Sequence, residues 1–431
     1  MEQNQSSFKW FWWLLLVVLV IITISGCSNH SDANAYQNKN IENNKDEVSK
    51  TNSKYPSCPE NLSGILTYPL MEPKYISGLI PLGNINPPGH TSPVDHIYFA
   101  TDYDGRIPLY APADAWITSI IAILQQDNTG NYTTTGYVVQ YTVCKGLVLD
   151  FASYTDIIQP IKNILNKQKP NCHYGIVKPG HEGGAEGQCG YQINYPVKSG
   201  EEIGWVQRYK RENDYDLPFE IWAADYNKLP PSQTNWDYYD DNRYAHIICP
   251  FDLYSNDLKN EYGSKFGVWK ENIIKDNITG EITKDDSQRH FVARNGLPIC
   301  GQVDQDIVGT IQGTWFGGKP GDKGIEFAGK VIAFLHNNID VNQGEVSIGG
   351  DLAEGKAATI FFTPMHAGTI DREPSEIKND GKIYCYNAEN NWQISGKILV
   401  QLIDDYNIKA EHQSGTCSSN ESFKNSFEYE R

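Results

Sequence analysis

The sequence predicts a mainly β protein with two folded units in series behind an export signal. Three observations carry this. Glycine (37) and proline (22) are abundant while methionine is scarce (3), the balance of a chain built from short strands and turns rather than a helical bundle. From Ile97 to Ile403 the apolar runs are of strand length and are bounded by Gly, Asn and Asp. At 431 residues, with 39 % hydrophobic and 12 % aromatic content, the chain is too long for one ordinary domain and rich enough to bury two cores. Its net charge of −17 repels phosphate backbones, so no nucleic-acid partner is expected.

The first element is a secretion signal over residues 1–26. A short polar start carrying Lys9 leads into an uncharged apolar run from Trp10 to Ile24, short for a membrane span, which stops at Ser25-Gly26-Cys27. Ile24-Ser25-Gly26-Cys27 resembles the bacterial lipobox, in which the cysteine is acylated and becomes the new first residue. Several acyl chains on Cys27 would give lasting membrane attachment, so membrane lipid is the first expected partner and the rest of the chain lies outside the cytoplasm. Residues 27–57 are then Asn, Ser, Lys, Glu and Asp with almost nothing apolar. Such a segment buries too little surface to offset its ordering entropy and reads as a tether of about 30 Å.

Residues 58–270 form the first predicted unit. Ile97 to Ala100 and Ile107 to Ile123 read as strands, the second interrupted at Pro112-Ala113-Asp114; Gly136 to Val143 and Leu147 to Ser153 read as a hairpin around Lys145-Gly146. Thr155 to Lys167 has apolar residues at helical spacing despite Pro160. A Gly-rich loop bracketed by Cys172 and Cys189 follows, then strands at Tyr191 to Val197, Glu202 to Arg208 and Phe219 to Ala223, and a closing helix within Leu253 to Phe266. The polar stretch Asn272 to Gln288 marks a boundary. Residues 271–431 then run strand after strand (Gly309 to Phe316, Lys330 to Leu335, Glu345 to Ile348, Ala358 to Phe362, Lys382 to Tyr386, Gly396 to Ile403), predicting an all-β sandwich or barrel.

Of nine cysteines, Cys27 is assigned to lipid, leaving an even set that suits disulfides outside the cytoplasm. Cys172 with Cys189 is predicted as a local staple, and Cys385 with Cys417 as a closure of the second unit. No C-x-x-C pair favours zinc instead.

Two segments resemble a known family. Ile107-Pro108-Leu109-Tyr110-Ala111-Pro112-Ala113-Asp114-Ala115-Trp116-Ile117 is similar to the G-x-P-V-x-A-P-x-D-G-x-V strand-turn-strand of lysostaphin-type (LytM-like) zinc endopeptidases, which cut peptidoglycan cross-bridges. Val197-Lys198-Ser199-Gly200-Glu201-Glu202-Ile203-Gly204-Trp205-Val206 resembles that family's V-K-x-G-x-x-I-G-x-V segment. Asp216-Leu217-Pro218-Phe219-Glu220-Ile221 falls where those enzymes have H-L-H-F-E-I, and Phe151-Ala152-Ser153-Tyr154 where they have Y-A-H-L. The resemblance implies a LytM-like antiparallel β fold over roughly residues 80–225 and does not extend to the last third.

It implies much less chemistry. In the family, zinc is held by the His and Asp of an H-x-x-x-D stretch and by the second His of H-x-H; here Pro218, which has no side-chain lone pair, replaces that second His. Asp216 and Ser153 replace the histidines that handle protons. His90, Asp95 and His96 gather before the first core strand, but His90 and Asp95 do not have the family's spacing, and His96 would need Asp102 as its partner. A catalytic zinc needs three protein ligands and an open position. The candidate metal ligands are therefore His90, Asp95, His96, Asp102 and Asp216, while His96, Asp216, Glu220 and Ser153 are the candidates to line a groove. No catalytic residue and no cofactor are expected, with zinc as the alternative. An aromatic and acidic run (Trp236, Tyr238, Tyr239 and Tyr244 with Asp237, Asp240 and Asp241) is read either as a saccharide or peptide contact or as a domain closure.

The function expected is that of a membrane-anchored envelope lipoprotein whose peptidase-like domain binds or scaffolds a cell-wall peptide, glycan or envelope protein. The alternative is a divergent cell-wall metallopeptidase with a rebuilt metal site. For the anchor, Cys27→Ser is expected to abolish labelling by a fatty-acid probe and release the protein from membranes; an unlabelled wild-type protein would refute the lipobox.

Overall fold

The computed structural model describes residues 54–87, 89–127, 129–176, 186–208, 219–232, 234–239, 241–275, 282–319, 329–388 and 393–431, leaving aside the side chains of 176, 208, 271–275 and 282–289. The protein is mainly β. The first unit contains β1 (Gly78–Ile80), β2 (Ile97–Ala100), β3 (Gly105–Tyr110), β4 (Ala115–Gln126), β5 (Tyr132–Cys144), β6 (Leu147–Tyr154), β7 (Asp156–Ile157), α1 (Gln159–Leu165), β8 (Asn171–Ile176), β9 (Glu186–Val197), β10 (Glu202–Arg208), β11 (Phe219–Asp225) and α2 (Asn256–Gly263). Eight of these strands form an antiparallel sheet in the order β1-β2-β11-β6-β5-β4-β9-β8, and β3-β10-β7 form a second sheet of three.

The strands follow their apolar alternation. Along β4, Ala115, Ile117, Ile120, Ala122 and Leu124 are buried. Their spacing slips by one residue where a bulge between Ile117 and Ser119 shifts the register, so both halves of the strand keep their apolar side chains on the core. Leu147, Leu149 and Phe151 of β6 and Phe219 and Ile221 of β11 complete that core.

Three elements differ from the sequence expectation. The helix begins at Gln159 rather than Thr155, because Asp156 and Ile157 pair with Trp205 and Gly204 of β10. Pro160 is tolerated because it stands in the helix's first turn, and Ile161 and Leu165 pack inward four residues apart. The stretch after Cys172, expected as loop, is a strand over its described part: β8 pairs with β9 and sets Cys172 opposite Cys189. A polar boundary was expected at Asn272 to Gln288; a two-stranded hairpin, β12 (Gly267–Lys275) with β13 (Ile282–Ala293), stands there. Its ends pack through Val268 and the paired rings of Trp269 and Phe291, while the charged run between them hides the strands from a reading of hydropathy.

The second unit is one eight-stranded antiparallel sheet, formed by β14 (Gly313–Phe316), β15 (Val331–His336), β16 (Gly344–Ile348), β17 (Ala358–Phe362), β18 (Tyr384–Asn387), β19 (Lys397–Asp404), β20 (Asn407–Gln413) and β21 (Phe427–Glu430). In the order β17-β16-β15-β14-β21-β20-β19-β18 it curls until its two edge strands meet, with the Phe362 and Tyr386 rings 4.7 Å apart. Of the two expected forms it is the barrel, nearly closed, around Trp315, Phe334, Val346, Tyr386 and Val400.

The units are joined closely. Tyr238 stacks on Phe316 at 4.6 Å, and Cys249 is bonded to Cys300. Both predicted cysteine pairs, Cys172–Cys189 and Cys385–Cys417, are disulfides, and Cys58–Cys144 is a further one. Four disulfides are the mark of an oxidising compartment outside the cytoplasm. No described helix is long and apolar enough to cross a membrane.

Non-reducing peptide mapping is expected to recover these four pairs. The Cys58–Cys144 bridge closes 86 residues and Cys172–Cys189 closes 17. In the chain-entropy account their replacement by alanine pairs costs about 4.5 and about 3 kcal/mol. Urea unfolding measures both losses, and the reverse order would contradict that account.

Candidate functional site

The site grows from the period of two along β11. Phe219, Ile221 and Ala223 point into the core, so Glu220 and Trp222 point the other way. β11 lies between β2 and β6, with Glu220 opposite Tyr98 on one side and Ala152 on the other. His96, two residues before Tyr98, falls on the same face, its ring 5.0 Å from Trp222 and 4.5 Å from Tyr98.

Asp95 anchors this face. Its Oδ1 accepts hydrogen bonds from His96 Nδ1 at 2.9 Å and from Trp222 Nε1 at 2.9 Å. Its Oδ2 accepts from Arg243 Nε at 3.1 Å and is ion-paired with Nη2 at 3.1 Å. Arg243 also reaches Asp241 at 3.0 Å and Asp150 at 3.4 Å, and lies over the Trp222 ring. Burial by itself would raise the Asp95 carboxyl, but Arg243, His96 and Trp222 outweigh it and hold the group well below the usual carboxylate range. Asp150 goes the other way, pushed up by burial that its share of Arg243 does not offset. Burial opposes the charge on Arg243 too, yet Asp241, Asp95 and Asp150 raise it well above its ordinary value.

With Nδ1 turned to Asp95, the other ring nitrogen of His96 is Nε2. That atom is buried and has no hydrogen-bond partner among the described residues. His90 packs its ring 5.5 Å from His96, and its Nε2 is 3.1 Å from the Tyr98 hydroxyl. Burial, reinforced by His96 and only partly opposed by Asp95, pushes His90 down to about 4, so it is neutral at pH 7. The Tyr98 hydroxyl is pushed up by burial and by the carboxylates of Glu220 and Asp95.

The fold thus gathers His90, Asp95, His96 and Glu220. Ser153 lies exposed just past the last β6–β11 pair, with φ of 68° in the left-handed region where a serine is strained. Asp102 stands exposed in the loop between β2 and β3. Asp216, Pro218 and Cys27 lie outside the described residues. Sequence reasoning missed Trp222, Asp150 and Arg243 as parts of the site. Trp222 was open to discovery as the next residue on Glu220's face, whereas Arg243 had no local signal. The aromatic run serves as a closure: Tyr238, Tyr239 and Tyr244 are buried, the first two against Phe316.

Every Asp95 oxygen is already engaged, and among the described residues no group of three or more His, Cys, Asp or Glu could hold a metal ion. A broad concavity of about 690 Å³ lies elsewhere, around Asn61, Lys145, Asn227 and Asp252, and a second lies at the joint between the units. Comparison with protein-family models, curated proteins and solved structures finds no match to this chain.

His90 makes the site sensitive to acid. Its folded-state value, about 4, lies below the ordinary 6.5, so the unfolded chain takes up this proton first as pH falls. Its contribution to stability is complete above pH 6.5 and is lost on the way down to about 4. His90→Gln is therefore expected to flatten the decline of stability across that window relative to wild type, measured as urea midpoints against pH. Parallel curves for the two proteins would contradict it.

Proposed function

We propose that this protein is an exported lipoprotein, tethered through Cys27, whose first β unit has the scaffold of a lysostaphin-type peptidase and binds a cell-envelope component without cutting it. The observation that carries the reading is the use of Asp95. A carboxylate held by His96, Trp222 and one edge of Arg243, with both oxygens engaged, is a structural anchor and not a free metal ligand. The replacement of a ligand position by Pro218 and of a proton-handling position by Ser153 supports the same conclusion. A fold hosts many functions, so the groups at the site decide between them.

On this reading the ligand meets Glu220 and His90 first, since these are the more accessible members of the face, while His96 stands behind them. A cell-wall peptide or glycan offers the amides and hydroxyls that such groups recognise. One observation favours the enzyme instead: a carboxylate-oriented imidazole with an unpartnered Nε2 is the arrangement of a general base or a metal ligand.

One assay separates the two. Intact protein is incubated with purified peptidoglycan sacculi, with added zinc or with chelator. Co-sedimentation without release of wall peptides is expected, and Glu220→Ala should weaken it about tenfold. Release of peptides that chelator abolishes would replace the binding reading with the metallopeptidase.

A further inference from the structure

The joint between the two β units holds a half-open cleft of about 250 Å³, lined among others by Arg294, Leu297, Gln302, Gln312, His336 and Asn338. Its chemistry is polar, and its charge is unbalanced. Arg294 is only 8 % exposed, yet no carboxylate among the described residues pairs with it. Its Nε donates to the Pro298 carbonyl and its Nη1 to the Asn338 carbonyl, which leaves the Nη2 edge uncommitted.

The other titratable groups nearby do not neutralise it. His336 faces acceptors with both nitrogens, Val341 O at 2.9 Å and Glu373 Oε1 at 3.0 Å, so the Glu373 carboxylate is committed to the imidazole, whose pKa it raises, and not to Arg294. Glu345, behind Asn337, donates no charge at neutral pH because burial pushes its carboxyl up to about 8. Asp340 is taken by Asn295. A buried guanidinium without a counter-ion is costly, and the group that relieves the cost is an anion with planar oxygen pairs. A single guanidinium edge facing the amides of Gln302, Gln312 and Asn338 matches a monoanion better than a phosphate dianion.

We propose that this cleft is a binding site for a small carboxylate, such as a sugar acid or the carboxyl end of an acylated amino acid, with Arg294 holding the carboxylate. Gln302 at the exposed mouth meets the polar body of the ligand, and the exposed side chain of Leu297 borders it. Asn338 fixes the wall by donating to the Pro81 carbonyl of the first unit at 3.2 Å, which ties the cleft to the joint. The site is separate from the His96 face, and its fate does not depend on what that face binds.

Calorimetric titration of the intact protein with D-glucuronate and with N-acetylalanine tests this, with D-glucose and inorganic phosphate as controls. At least one carboxylate is expected to bind at one site per chain with an affinity of about 1 mM or tighter, and glucose and phosphate at least about tenfold more weakly. Which carboxylate binds identifies the source. Arg294→Gln is expected to weaken binding more than about tenfold. Gln302→Leu, at an exposed position that leaves the fold intact, should weaken it severalfold and stands in if the first variant does not fold. Absence of carboxylate binding at about 10 mM, equal binding of glucose or phosphate, or binding indifferent to the variant would overturn the proposal.

Discussion

One guanidinium organises the first unit. Arg243 reaches Asp95 before β2, Asp150 in β6 and Asp241 at the start of its own turn, while its plane covers Trp222 of β11. It therefore spans three neighbouring strands from outside the sheet. Buried carboxylates stay charged only where a cation and hydrogen-bond donors replace water, and one cation cannot serve three of them equally. The outcome is visible in the opposite shifts of Asp95, held low, and Asp150, pushed up. Loss of one member of such a network leaves uncompensated charge in the interior, a cost on the order of 3–5 kcal/mol.

What that anchoring does to His96 is the link to function. A hydrogen bond between Nδ1 and a carboxylate that cannot rotate sets the ring orientation and leaves Nε2 buried without a partner among the described residues. The same bond removes Asp95 from the pool of metal ligands. Two neighbouring residues that are equivalent as donors in the sequence therefore have different fates in the fold: one is spent on architecture and the other is kept.

The joint between the units is built with the same economy. An aromatic stack, a disulfide and the Asn338 to Pro81 hydrogen bond hold the barrel against the first unit. Because a covalent bridge crosses it, the polar cleft at the joint is preorganised, and a ligand entering it need not order the two units first.

Local information determined much of this molecule. Apolar alternation with turn residues marked β4, β5, β6, β10 and β11, because a strand with one buried face must repeat every two residues. The period of two also placed Phe219 and Ile221 inside and Glu220 outside. Two elements escaped: β8, held by backbone pairing and a disulfide that leave no hydropathy signature, and the β12–β13 hairpin, whose charged middle obscures the apolar Val268, Trp269 and Phe291 at its ends. Likewise His90, Asp95 and His96 could be found as a cluster, since they lie within seven positions of one another. Their roles could not, since Trp222 and Arg243 stand 127 and 148 residues from Asp95 along the chain. Composition and spacing determine which residues alternate, turn and crosslink. Which lone pair is filled, and by which distant donor, was decided only when the strands came together.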